Sequence, residues 1–318
     1  MLQRIQSFVN RVYGILNRRF FWSKVYLAHS GLRKLIRVVN TQHPEMQTSL
    51  LLVGARRGLE RRYNSLLKLN HFSVDGIEPD KKEVEAILAR EVYRKMHAVA
   101  VADEICTKPL YITKVLGCTS IHKPKMEKLQ RYTISGWFET QAQTEIPVTT
   151  LDALYNPPEK FDFISMDVQG AEYEVIKGGE RLFDQAIGIT LEAHFLEVYE
   201  GQKLFSFIHD LCLSKGFRLI RLDCGEFDGE IAESECFYVR DYQLLKKKED
   251  LLKCMLFALN WNNKAYVENL LRNVSAEFFP PAEKKQILGI LKMKEKEKSP
   301  LILDGFSAAA HSDGSGYF

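Results

Sequence analysis

Leu50-Leu51-Leu52-Val53-Gly54-Ala55-Arg56-Arg57-Gly58 is the stretch that decides how this chain folds. Four apolar residues in a row predict a strand buried on both faces, the glycines behind them predict a tight turn, and the sequence over 59–69 predicts a helix. Strand, turn and helix in that order begin an open α/β sheet, and such sheets bind nucleotides at the carboxyl end of the strand. Gly54, Ala55 and Gly58 would let the backbone approach a ligand closely. Glu78 ends the next predicted strand, 73–78, where a carboxylate can accept hydrogen bonds from two ribose hydroxyls. Asp103, just past a third predicted strand at 97–102, is expected near an adenine. The glycine spacing is G-x-x-x-G and the chain has no G-x-x-x-x-G-K-[ST] loop, which disfavours both the dinucleotide and the ATP readings.

Outward from this point, short apolar runs alternate with helical stretches, as in parallel strands joined by crossover helices. A helix is expected over 81–94. A less regular stretch follows from 103 to 150, with a short strand at 110–113, and long loops of this kind usually carry function. The alternation resumes with a strand at 161–167, a helix at 171–177 stopped by Gly178 and Gly179, and a strand at 188–193. A helix at 203–215 and strands at 217–222 and 235–239 complete the unit. The expected organisation is a basic helical arm over 1–46, the sheet domain over 47–240, a Lys/Leu-rich helical appendix over 241–306, and a small, polar, disordered tail over 307–318.

Composition sets outer limits. Hydrophobic residues make up 46% and charged residues 27%, which places the chain with globular proteins and away from disordered or fibrous ones. Residues 1–40 hold eight Arg or Lys and no acid, so a net charge of +3 leaves −5 for the remainder. That acidic remainder makes nucleic acid an unfavourable partner. In the arm, Ile5, Phe8, Val9, Val12 and Leu16 fall at helical spacing, which suits packing on the protein's own domain or contact with an anionic membrane surface. No run of about 18 apolar residues occurs, and Arg11, Arg18, Arg19 and Lys24 interrupt any signal-like stretch. The expected location is the cytoplasm, with the arm available for peripheral membrane contact. Six scattered cysteines without a C-x-x-C pair imply neither zinc nor a disulfide framework.

Phe161-Asp162-Phe163-Ile164-Ser165-Met166-Asp167-Val168-Gln169-Gly170-Ala171-Glu172, followed by Gly178-Gly179, resembles the fourth-strand signature of the FkbM-type methyltransferases. Thr150-Leu151-Asp152 before it, Leu110 to Lys114 with Gly117 to Ser120 and Lys123-Pro124, and Leu191 to Phe195 with Tyr199 to Gln202 resemble further blocks of that family in the same order. The likeness covers about residues 50–240. Two positions depart from it, since the family usually has an acid at Leu52 and Asn at Arg56. The resemblance implies a class I methyltransferase fold, a Rossmann-like, doubly wound, mostly parallel seven-stranded sheet with added N- and C-terminal helices. It also implies S-adenosyl-L-methionine as cofactor and methylation of a hydroxyl on a sugar, glycan or glycosylated small molecule.

Such chemistry needs an acceptor oxygen in line with the carbon–sulfur bond and a base for its proton. His194, at a strand end, is the preferred base because neutral imidazole accepts a proton near neutral pH. Asp167 is placed to orient the acceptor, bind a divalent cation or polarise His194; a metal requirement is left open. Glu172 is read as holding the Gln169-Gly170 turn, while His122, Trp137 and Tyr199 are secondary candidates for the acceptor pocket.

Overall fold

The computed structural model describes residues 30–292. Its centre is a seven-stranded sheet of β1 (Gln47–Val53), β2 (His71–Ile77), β3 (Lys95–His97), β7 (Phe163–Met166), β8 (Gly188–His194), β9 (Phe217–Phe227) and β10 (Glu230–Arg240), in the spatial order β3-β2-β1-β7-β8-β10-β9. The ladders joining β3, β2, β1, β7 and β8 are parallel, and only β10 runs against its neighbours. This is the expected doubly wound, mostly parallel sheet. Its order reverses between β1 and β7, and the carboxyl ends of those two strands are the place where such a sheet opens a ligand crevice.

Both faces of the sheet are covered, which explains the unbroken apolar run of β1. Leu50 and Leu52 point into one core, Leu51 and Val53 into the other. The second core is closed by α3 (Glu172–Gly178), α4 (Glu180–Gln185) and α5 (Phe205–Ser214), with Val175, Ile176, Phe183 and Ile208 inside it. The first is closed by α1 (Ser30–Gln42), α6 (Lys248–Asn260), α7 (Lys264–Asn273) and α8 (Pro281–Lys292). The helix expected over 81–94 is α2 (Lys81–Leu88), capped by the Asp80 side chain on the amides of Lys82 and Glu83.

Four expectations need correction. The segment 241–306 was read as an appendix, yet within its described part every residue from Leu251 to Asn260 in α6 is buried. A helix buried all round belongs to a core, and Gly188 of β8 lets it in: a Cβ there would lie 2.7 Å from the Phe257 ring. Lys253 within this helix meets Asp162, just ahead of β7, at 2.8 Å with both side chains more than nine-tenths buried. The helix expected over 59–69 is instead two short 3-10 turns, Arg61–Tyr63 and Leu66–Lys68. Its buried residues, Tyr63, Leu66 and Leu69, recur every three positions, the period of a 3-10 turn. The strand expected over 97–102 is split, because the chain leaves the large sheet after β3 and joins a small one as β4 (Ala100–Val101). The stretch from 103 to 150 is then no irregular loop: β5 (Cys106–Thr113) and β6 (Thr140–Thr149) complete that three-stranded sheet in the order β4-β6-β5.

Of the basic arm, α1 packs Leu32, Leu35, Ile36 and Val39 into the first core. The residues from Ile5 to Leu16 on which the amphipathic reading rests lie outside the described residues, as does the tail at 307–318. Among the described residues no helix is long and apolar enough to cross a membrane.

Candidate active site

A cleft of about 830 Å³ lies over the carboxyl ends of β1, β2, β7 and β8, roofed by the small sheet through Leu110, Ile112, Thr144 and Ile146. Gly54, Glu78, Asp167 and His194 all line it, so four of the predicted site residues share one cavity.

Gly54 sits at φ +79°, and a Cβ there would lie 1.9 Å from the Asp167 carbonyl oxygen. Only glycine lets β1 and β7 come this close at the switch point. The amides of Gly54 and Ala55 both donate to the Ile77 carbonyl, at 3.0 and 2.9 Å. The turn therefore shows the cleft an uncluttered Cα surface while its amides are already bonded. Ala55 is buried and outside the cleft lining. Gly58 faces a different cavity, where a Cβ would lie 2.4 Å from the Glu91 carboxylate.

Glu78 is 4% exposed. Its Oε1 accepts the Asp80 amide at 3.1 Å and lies 3.7 Å from Arg56 Nη1, so both contacts fall on one oxygen. Burial raises its pKa, and the Asp80 amide and Arg56 oppose that shift. Arg56 also reaches Asp80 at 3.4 Å, which draws the guanidinium to the cleft wall. Leu52, the other departure from the family pattern, is in the first core and does not line the cleft.

Asp103 does not join the others. Its side chain is about half exposed, it pairs with Lys108 at 3.4 Å, and it is absent from the cleft lining. The change of sheets turns the chain away at this point, and Ala100 and Val101 form the wall instead.

At the far end, Asp167 is joined by two acids that the sequence reading passed over, Glu192 and Glu233. Glu192 and His194 are two residues apart on β8 and so share a face, and His194 lies opposite Glu233 in the β8–β10 ladder. The Gln169 side-chain amide donates to Asp167 Oδ1 at 2.6 Å and to Glu192 Oε1 at 3.2 Å, while the Tyr199 hydroxyl donates to Gln169 Oε1 at 2.8 Å. Glu172 accepts the amides of Val168 and Gly170, both at 3.0 Å, and pins the turn that carries Gln169. Burial pushes its carboxyl up to about 8, against the pull of these amides.

Solvent reaches Asp167, Glu192 and Glu233 through the cavities, but protein encloses them on the other sides. That enclosure raises all three: Asp167 against the opposing effects of Gln169 and Arg62, Glu192 strongly with the added repulsion of Asp167 and Glu233, and Glu233 up to about 7. His194, 3% exposed, is pushed down to about 4 by burial, so it is neutral at physiological pH and a weaker base than a free imidazole. Arg62 is bound to Glu60 and to Glu235 and lies over Trp261, its centre 5.2 Å from the ring.

A second cavity, of about 1040 Å³, opens on the other side of these acids. Arg56, Arg57, Asp167, Glu192 and Glu233 line both cavities, which therefore meet at the acidic end. Of the secondary candidates, Trp137 lines the first cleft, Tyr199 is buried behind Gln169, and His122 lies outside the lining, 3.5 Å from Glu174.

Residues 53–219 match the family described as Methyltransferase FkbM domain, more than half of the chain. No curated protein matches the sequence. Solved structures of similar shape include a putative RNA methyltransferase from Pyrococcus horikoshii, at 10% identity and TM-score 0.34, covering 67% of this chain and 82% of that one. The magnesium protoporphyrin IX methyltransferase from Synechocystis, solved with bound SAM, has 15% identity and TM-score 0.31 over 70% and 84% of the two chains. Human methyltransferase-like protein 13, in complex with SAH, has 14% identity and TM-score 0.33 over 77% and 90%. At such scores the likeness adds nothing to what the matched residues and the strand order establish.

Proposed function

The chain belongs to the FkbM methyltransferase family, and from that premise we propose that it transfers a methyl group from S-adenosyl-L-methionine to a hydroxyl of a sugar, glycan or glycosylated small molecule. The observation that carries this reading is the joining, in one cleft, of the Gly54 turn and Glu78 to the acidic group at Asp167, Glu192, His194 and Glu233.

In this reading the adenosyl group lies across Gly54 and against Ala100 and Val101, and Glu78 grips the ribose through Oε2, which accepts no hydrogen bond among the described residues. The bare Cα surface of the turn admits the cofactor closely. The sulfonium then points toward the carboxylates, which favour its positive charge. The acceptor enters where the two cavities meet. Carboxylates and the Gln169 amide suit an acceptor rich in hydroxyls, each of which donates and accepts, and the indole of Trp137 offers a face for a sugar ring to stack on. The proton of the reacting hydroxyl passes to the acidic group. Glu233, with its pKa raised to about 7, is better matched to that work than His194, whose imidazole burial has weakened as a base.

Two measurements test the reading. Calorimetry with S-adenosylhomocysteine should show binding at one site per chain, and a radiolabelled methyl group should move to sugar hydroxyls and not to bases of nucleic acid. No heat with S-adenosylhomocysteine at millimolar concentration would end it. The acidic group and the net negative charge outside the arm argue against a phosphate backbone in this cleft. A peripheral membrane role for the basic arm over 1–46 and a cytoplasmic location are proposals from sequence; equal pelleting of the intact chain and one lacking residues 1–29, ahead of the helix packed in the first core, with anionic vesicles would dismiss the first.

A further inference from the structure

We infer that Glu192, His194 and Glu233 form a binding site for one divalent transition-metal ion at the meeting of the two cavities. Each residue offers a ligand atom, and the three atoms lie within 4.8 Å of one another. His194 Nε2 is 3.8 Å from Glu192 Oε1 and 3.7 Å from Glu233 Oε2. These separations are too long for hydrogen bonds. They are close to the spacing of neighbouring donors around an ion held by bonds of about 2.0–2.2 Å.

The imidazole is the decisive witness. His194 is 3% exposed and makes no hydrogen bond through either ring nitrogen: Nδ1 is sealed without a partner, and Nε2 is aimed between two carboxylates. Buried polar groups are ordinarily satisfied, and Nε2, aimed at two acids with no hydrogen bond among the described residues, is the nitrogen that an ion would satisfy, while Nδ1 would carry the ring proton. The carboxylates have the same need. Four side chains share this face of the β8–β10 ladder, since Glu192 lies opposite Glu235 and His194 opposite Glu233. Arg62 neutralises Glu235, but no Lys or Arg among the described residues reaches Glu192 or Glu233 at ion-pair distance. Glu192 receives one hydrogen bond, from Gln169, and Glu233 receives none. A cation at their centre removes the repulsion and occupies the imidazole lone pair.

One imidazole nitrogen with two carboxylate oxygens is a mixed donor set, and it suits Mn²⁺ or Zn²⁺ better than Mg²⁺ or Ca²⁺, which prefer oxygen alone. Three protein ligands leave positions open to the cavities, the pattern of ions that act on a substrate. The role of the ion rests on the methyltransferase reading: an acceptor hydroxyl completing the coordination is held in place and loses its proton more readily. With the ion bound, His194 and Glu233 are both ligands and neither is the base; Asp167, outside the three-residue group, then receives the proton in place of Glu233.

The test uses the full chain, stripped with chelator and titrated with Mn²⁺, with uptake followed by loss of the electron paramagnetic resonance signal of the aqueous ion. One ion per chain is expected. Glu192→Gln and Glu233→Gln should each weaken uptake by at least about tenfold, while Glu226→Gln, an exposed acid on β9, should not change it. Thermal unfolding of the stripped variants shows that they fold. Absence of uptake by the unaltered chain, or undiminished uptake in both ligand variants, overturns the site. Calorimetry with S-adenosylhomocysteine on the same samples separates the two ideas, because cofactor binding without Mn²⁺ uptake removes only the ion, whereas Mn²⁺ uptake without cofactor binding leaves the ion standing and removes the methyltransferase reading.

Discussion

Gly54 and Glu78 come from one strand-turn-strand unit, β1 and β2 with their connection, whereas the acids at the other end of the cleft are drawn from β7, β8 and β10. The first end works by absence, a missing Cβ and a single buried carboxylate, and its geometry is fixed by local backbone. The second works by accumulation: burial raises Asp167, Glu192 and Glu233 alike, and repulsion by Asp167 adds to the rise in Glu192 and Glu233. Recognition by a local turn and chemistry by converging strand ends are thus separable, and substitutions should affect them separately.

The largest expected effect is at the first end. Gly54→Ala places a Cβ 1.9 Å from the Asp167 carbonyl oxygen in a left-handed conformation, so the β1–β7 contact must spread. We expect a loss of roughly 3 kcal/mol in urea unfolding and no detectable S-adenosylhomocysteine binding; a variant that binds normally would erase the distinction between the two ends. Next, Glu192→Gln combined with Glu233→Gln should lower methyl transfer by about a hundredfold or more while the calorimetric affinity for S-adenosylhomocysteine changes less than about twofold. Loss of both together would show that the ends are not independent. Glu78→Ala should weaken that affinity by about thirtyfold, the worth of charge-assisted hydrogen bonds totalling about 2 kcal/mol.

A smaller effect is expected from pH. Burial raises Glu78 above the usual carboxylate range, and only the ionised carboxylate accepts from both ribose hydroxyls. Affinity for S-adenosylhomocysteine should therefore be full at neutral pH and fall as pH is lowered through that raised value, at higher pH than an ordinary glutamate would give, and Glu78→Gln should flatten the curve. Least of all, Arg56→Ala should change affinity by only about two- to fivefold, since the guanidinium is shared between Glu78 at 3.7 Å and Asp80 at 3.4 Å and is partly solvated.

The same contrast explains what could be read from sequence. Leu50 to Gly54 and Phe163 to Asp167 were legible because a strand buried on both faces leaves an unbroken apolar run and its turn needs glycine. Glu192 and Glu233 were not. Glu192 is an even step from His194 on a strand, which is a usable sign, but the apolar pattern puts the start of β10 at Glu235 whereas the strand starts at Glu230, so the pattern gives Glu233 no cross-strand partner. Asp103 was misplaced by a change of sheet that no local pattern announces. The turns at 61–68 were mistaken for a helix because tertiary contacts, with Arg62 tied to Glu235 and Tyr63 edge-on to Trp261 at 5.9 Å, override the propensity of the segment.

The helix α6 has a practical consequence. The family match ends at residue 219, yet Phe257 fills the hollow left by Gly188 and Lys253 answers the charge of Asp162. A fragment trimmed to the matched span would lose this helix together with β10 and most of β1, leaving Asp162 without Lys253 and the first core as a bare apolar face. Such a fragment should aggregate on expression, and any shortened version fit for assay or crystallisation has to run through residue 292.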